Sequence, residues 1–142
     1  MHLSLEFRTN SYHGISLYGA RNCKVLNNTV ASVFRSVKPT SAPIRIYPHK
    51  NGKPGTGNTV RNNFMNYIST ENKGVTGGGV ADYNIIGFNI SEHFVDFENF
   101  NFRLRSTSTA INAGSYIDAP KIDITETSRD GVPDIGAYEF KL

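Results

Sequence analysis

The chain of 142 residues contains one cysteine, Cys23, and no tryptophan. A single thiol excludes an internal disulfide, so cysteine assigns no oxidising compartment, and Cys23 is expected as a small buried hydrophobe. Long apolar runs are also missing. No stretch reaches the ~20 residues that span a bilayer as a helix, and Met1-His2-Leu3-Ser4-Leu5-Glu6 lacks the charged-then-apolar order of a signal peptide. No membrane partner is expected. Helix formers are scarce: Ala and Leu total 14 residues against 32 for Val, Ile and Thr, which with 13 Gly, 7 Tyr and 9 Phe favours strands. Acids are nearly absent from the first part. Residues 1–80 hold ten Lys/Arg against Glu6 and Glu71, a balance of +8, and residues 81–142 hold five Lys/Arg against ten acids, a balance of −5, for the net +3. A basic half implies a polyanionic partner, an acidic polysaccharide or a nucleic acid; the alternative is charge that only solvates loops.

What is present is a repeat. Asn22-Cys23-Lys24-Val25-Leu26-Asn27-Asn28-Thr29-Val30 recurs as Gly57-Asn58-Thr59-Val60-Arg61-Asn62-Asn63-Phe64-Met65, and more loosely as Asp82-Tyr83-Asn84-Ile85-Ile86-Gly87-Phe88-Asn89-Ile90. Apolar residues hold the fourth place (Val25, Val60, Ile85) and the ninth (Val30, Met65, Ile90). The offsets are unequal, 60−25 = 35 and 85−60 = 25, which predicts short stacked strands with insertions rather than a helical hairpin of fixed length. Asn28 and Asn63 occupy equivalent places, and their amides are expected to bond along the stack, with Phe88 ending the ladder in the third copy. Asn also suits the left-handed backbone of tight corners.

Ahead of the repeat, Leu3-Ser4-Leu5-Glu6-Phe7 reads as a strand. Gly14-Ile15-Ser16-Leu17-Tyr18 reads as a second, with Ile15 and Leu17 inward and Ser16 and Tyr18 outward. Ala42-Pro43-Ile44-Arg45-Ile46-Tyr47 matches it, with Ile44 and Ile46 inward and Arg45 and Tyr47 outward. Loops are predicted at Phe34–Ser41, at Pro48–Gly57 and at Glu71–Gly79. The Phe-rich run Glu92–Leu104 is expected to cover the open end of the stack. The expectation is one all-β domain, a solenoid of about three coils over residues 1–91 closed by a C-terminal cap over 92–142. Because the repeat starts almost at once after Met1, the chain reads as part of a longer secreted one; the alternative is a cytoplasmic or phage-borne protein.

Two strings carry a resemblance. Asn101-Phe102-Arg103-Leu104 through Ala110-Ile111-Asn112-Ala113-Gly114, followed by Asp134-Ile135-Gly136-Ala137-Tyr138-Glu139, resembles the C-terminal signature of right-handed parallel β-helix proteins of the pectate lyase-like superfamily, which includes polysaccharide lyases and epimerases. The resemblance implies a right-handed parallel β-helix, a secreted or cell-surface setting, and a uronate polymer rather than nucleic acid as partner; a phage particle is the further setting the sequence allows. The implied chemistry is β-elimination or epimerisation, which needs a base, a cation for the sugar carboxylate and a proton donor. Arg45, Tyr47, His49 and Lys50 supply suitable types within six residues and are the candidate carbohydrate-binding row; no catalytic residue is singled out. Tyr47-Pro48-His49-Lys50 resembles the Asp-Pro-His-Asp motif of mannuronan epimerases with both acids replaced. Three readings follow: binding of an acidic polysaccharide, a complete lyase, and a tailspike or surface-stalk segment that oligomerises through its first coil. No cofactor or metal is assigned, though Asp118, Asp123, Glu126, Asp130 and Asp134 offer oxygen ligands for calcium. Asp134 and Glu139 are expected to fix the cap through hydrogen bonds and ion pairs.

Overall fold

The computed structural model describes residues 4–6, 13–31, 42–66, 75–76, 79–87, 89–129 and 131–142. The described residues form twelve strands: β1 (Ser4–Glu6), β2 (His13–Tyr18), β3 (Lys24–Leu26), β4 (Thr29–Ala31), β5 (Ala42–Tyr47), β6 (Thr59–Arg61), β7 (Phe64–Asn66), β8 (Val75–Thr76), β9 (Val80–Asp82), β10 (Ile85–Gly87), β11 (Phe94–Asp96) and β12 (Asn101–Leu104). One 3-10 turn, Ser91–His93, is the only helical element among them. The protein is all-β.

Strands pair with the strand three places further along the chain. The orders are β1-β4-β7-β10, β2-β5-β8 and β3-β6-β9, and every pairing in these three sheets is parallel. Period-2 alternation then decides what each strand buries. Val25 and Val60 from β3 and β6, Val30, Met65 and Ile86 from β4, β7 and β10, and Ile15, Leu17, Ile44 and Ile46 from β2 and β5 meet in one apolar cluster. All three sheets therefore share a core, and the inward and outward positions expected on β2 and β5 are the ones observed.

The repeat continues one rung further than its sequence suggests. Val60 pairs with Ala81 and Met65 with Ile86, so the second offset is 81−60 = 21 rather than 25. Asn84, not Phe88, is the third rung, and Phe88 lies outside the described residues. The Asn28 and Asn63 backbone N–H groups donate to the side-chain Oδ1 of Asn63 and Asn84, each at 2.9 Å. Asn63 Nδ2 reaches back to the Val25 carbonyl at 2.9 Å and Asn84 Nδ2 to the Val60 carbonyl at 2.8 Å. The neighbouring residue turns the corner: Asn27, Asn62 and Tyr83 hold φ of 50°, 57° and 52°. Cys23 is only half-buried, with its sulfur 3.5 Å from the Arg21 carbonyl, because the buried amide of Asn58 holds its backbone instead.

Residues beyond Gly87 change plan. β11 and β12 form an antiparallel pair, and Phe94, Phe102, Leu104, Ile90, Ala110 and Ile135 gather on Ala31 and Phe64. Phe64 sits in β7, flanked by β4 and β10 in the sheet, so this contact is made through the sheet's outer face. The C-terminal segment thus packs against that flank, where the sequence suggested the end of the stack. The physical reason is that the β4-β7 sheet is apolar on both sides, with Thr29, Val30 and Ala31 all buried. The corner asparagines tie the segment down: Asn62 exchanges two bonds with the Ser115 backbone at 2.7 and 2.8 Å, and Asn27 Nδ2 donates to the Asp134 carbonyl at 2.9 Å.

Candidate functional site

The outer face of β2 and β5 carries the most distinctive exposed array. Parallel register sets Ser16 beside Arg45 and Tyr18 beside Tyr47. The two tyrosine rings lie 6.4 Å apart, tilted by 50°, and remain 50% and 37% exposed. Arg45, two residues before Tyr47 on the same face, lays its guanidinium carbon 3.5 Å from the Tyr47 ring centroid. Such a cation–π contact holds the ring in one orientation.

The chain then enters a turn that Gly19 makes possible. Gly19 has φ of +61°, and a Cβ there would stand 2.6 Å from the His49 Cβ. Its N–H donates to the Tyr47 carbonyl at 2.8 Å. His49 N–H donates to the Lys53 carbonyl, and Gly52 N–H to the His49 carbonyl, both at 2.8 Å. His49, Lys50 and Lys53 are exposed. Of the four sequence candidates, Arg45 and Tyr47 thus share a strand face, and His49 and Lys50 occupy the turn that follows. Tyr18 was missed as a member; its alignment with Tyr47 in the repeat was the available signal.

Two other cations of the basic half pair with acids of the second half. Arg61 grips Asp82 in a two-point contact, Nε to Oδ1 at 2.6 Å and Nη2 to Oδ2 at 2.7 Å. These hydrogen bonds hold the Asp82 carboxyl below its ordinary range and the guanidinium above its own. Lys24 pairs with Asp118 at 2.8 Å. Part of the charge asymmetry therefore joins the basic first half to the acidic second half.

The described acids offered for calcium are engaged with other partners or face solvent. Asp118 faces Lys24, and Glu126 is exposed at φ 65°. Asp123 is buried, which opposes ionisation, but it accepts the backbone N–H groups of Glu139, Thr127 and Thr125 and the Thr125 hydroxyl, and these donors hold its carboxyl low. Asp134 accepts the N–H groups of Asn112 and Phe140, and Asp130 lies outside the described residues. Among the described residues no three His, Cys, Asp or Glu side chains converge as a metal site. Glu139 and Arg129 pair at 2.7 Å with side chains only 5% and 2% exposed, and burial pushes the Glu139 carboxyl up and the Arg129 guanidinium down.

A cleft of about 280 Å³ is lined by Ser91, Glu92, Val95, Asp96, Phe97, Glu98 and Arg105. Three carboxylates against one guanidinium make it a poor seat for an anion. No helix among the described residues is long and apolar enough to cross a membrane. No protein family, curated protein or solved structure gives a match to the chain.

Proposed function

We propose that the chain is a right-handed parallel β-helix of about three coils and that it binds an acidic polysaccharide, a uronate polymer, on the outer face of β2 and β5 and the adjoining turn. The fold reading is supported by three parallel sheets with every strand paired three places on, around one shared core. The functional reading rests on one observation, the exposed Tyr18–Tyr47 pair with Arg45 laid on it.

A sugar ring has an apolar C–H face that stacks on an aromatic ring and a hydroxyl rim that does not. Tyrosine suits this, with a flat body and a polar tip. Because Arg45 already fixes the Tyr47 ring, little side-chain entropy is lost when a sugar docks. Lys50 and Lys53, exposed in the turn, add positive field for the carboxylates of the next sugars. Exposed contacts of this kind give about 0.5–1 kcal/mol each, so affinity grows through repeated engagement of a polymer. In a secreted or cell-surface setting that is the ligand such a face would meet.

The test is retention on immobilised alginate, pectate and chondroitin sulfate, with ultraviolet absorbance of the same mixtures followed in parallel. Salt-sensitive retention on uronate polymers that Tyr18→Ala, Tyr47→Ala and Lys50→Ala each weaken, with the thermal midpoint unchanged, supports binding. Growth of the absorbance that marks an unsaturated sugar would convert the reading to a lyase. Absence of both, with a stable oligomer in solution, would leave the segment a structural stalk.

A further inference from the structure

Among 15 asparagines, only Asn51 precedes a glycine. From its placement we propose that Asn51 is a site of spontaneous deamidation through a cyclic imide, a modification that resets the charge of the turn beside Tyr47.

The geometry is favourable at three points. Asn51 and Gly52 are both exposed. Asn51 Oδ1 accepts the Lys53 backbone N–H at 3.2 Å, which arches the side-chain carbonyl over the Gly52 peptide and brings Cγ to the side of its nitrogen. The same N–H draws electron density from Cγ and stands beside the oxygen that becomes anionic when a nucleophile adds. Gly52 has φ of +81°, and a Cβ built there meets nothing within 4 Å, so neither a side chain of its own nor a neighbour crowds the peptide on that side.

The step balances with water alone. Base removes the Gly52 N–H proton, the nitrogen bonds to Cγ, and the side-chain amide leaves as ammonia after taking up a proton. Water then opens the imide at either carbonyl to aspartate or isoaspartate. The Gly52 N–H must first leave the His49 carbonyl, and as a single turn bond at the surface it is free to open. The core asparagines differ sharply. Asn27, Asn28, Asn58, Asn62 and Asn63 are buried, with amides held by the ladder and the C-terminal segment.

Deamidation sets a carboxylate between Lys50 and Lys53. The isoaspartate form also adds a methylene to the main chain of the turn that seats His49 on Gly19. Its effect on polysaccharide retention rests on the function proposed above; the modification itself does not.

The experiment ages the full chain in mildly alkaline buffer and maps peptides by mass, with an isoaspartate-specific assay. The expected result is amide loss at Asn51 ahead of every other asparagine, isoaspartate among the products, and several-fold slowing in Gly52→Ala. Because alanine strains the φ of Gly52, Asn51→Asp serves as a second variant that carries the product charge from the start. An intact Asn51 amide while other asparagines convert, or aspartate without isoaspartate, overturns the proposal. On an alginate column the aged protein and Asn51→Asp should both elute at lower salt than fresh protein. Conversion at Asn51 with elution unmoved upholds the modification and counts against the polysaccharide reading of this turn.

Discussion

Asn63 receives both the backbone N–H and the side-chain amide of Asn28 on one oxygen, each at 2.9 Å. Its own Nδ2 donates to the carbonyls of Val25 and Arg61 and to Asn84 Oδ1. Both ends of the side chain are specified, oxygen toward two donors and nitrogen toward three oxygens, so no isosteric acid can replace it. Asn63→Asp keeps the shape but removes every donor and leaves three acceptors facing a carboxylate. With about 1–3 kcal/mol for each buried polar group left unmade, the loss should exceed about 3 kcal/mol in a denaturant titration. Partial recovery at acid pH, where a protonated carboxyl donates once, distinguishes this cause from simple loss of packing.

Tyr83 presents the opposite case. It holds φ of 52° at the position equivalent to Asn27 and Asn62, yet it has a bulky side chain and is 54% exposed. Left-handed backbone costs about 1–2 kcal/mol for an ordinary residue and little for glycine. Tyr83→Gly should therefore raise stability by about 0.5–1 kcal/mol, after the greater chain entropy of unfolded glycine is set against it. A lower thermal midpoint would mean that the ring contributes packing the backbone argument omits.

Acid stability follows from the depressed carboxyls. Asp82, through Arg61, and Asp123, through its backbone and hydroxyl donors, both titrate below their ordinary range. A depressed folded value contributes stability that is complete above the unfolded value and is lost as pH falls through the folded one. Glu139, raised by burial, has the opposite sign and favours the folded state toward acid pH. Asp123→Asn isolates one term: its thermal midpoint should be lower than wild type at neutral pH, and the gap should narrow below about pH 4.

The Arg129–Glu139 pair joins residues ten apart near the C-terminus, and Arg129 also donates to the Asp134 and Gly136 carbonyls at 3.2 and 3.0 Å. Arg129→Met alone strands a buried carboxylate and should cost about 3–5 kcal/mol. Arg129→Met with Glu139→Leu removes the stranded charge and should recover part of that loss, read from paired denaturation curves. A double variant no better than the single one would place the cost in the lost carbonyl contacts instead.

The sequence by itself determined what depends on near neighbours along the chain. Alternation in Gly14–Tyr18 and Ala42–Tyr47 assigned inward and outward residues, because strand geometry sends successive side chains to opposite faces. The Asn-Asn pairs marked corners, because asparagine accepts left-handed backbone and bonds to its own kind across a stack. The joint expectation for Asp134 and Glu139 was also legible, since acids in an otherwise apolar string must find donors.

Only the tertiary structure decided what depends on which distant surfaces meet. Asn84 became the third rung because Val80–Asp82 pairs with Thr59–Arg61, a register that the degenerate third copy fits less obviously than the shifted one. The Phe-rich segment went to the flank because Phe64 and Ala31 offer an apolar face there. Tyr18 meets Arg45 and Tyr47 through pairing across 47−18 = 29 residues of chain, a contact that the repeat alignment hinted at and the sheet register made. Arg61 is largely covered against Asp82, and Lys24, though exposed, pairs with Asp118. Backbone geometry acts over two or four residues and is written locally. Burial and charge pairing act through space, and the folded chain alone fixes which partners come within reach.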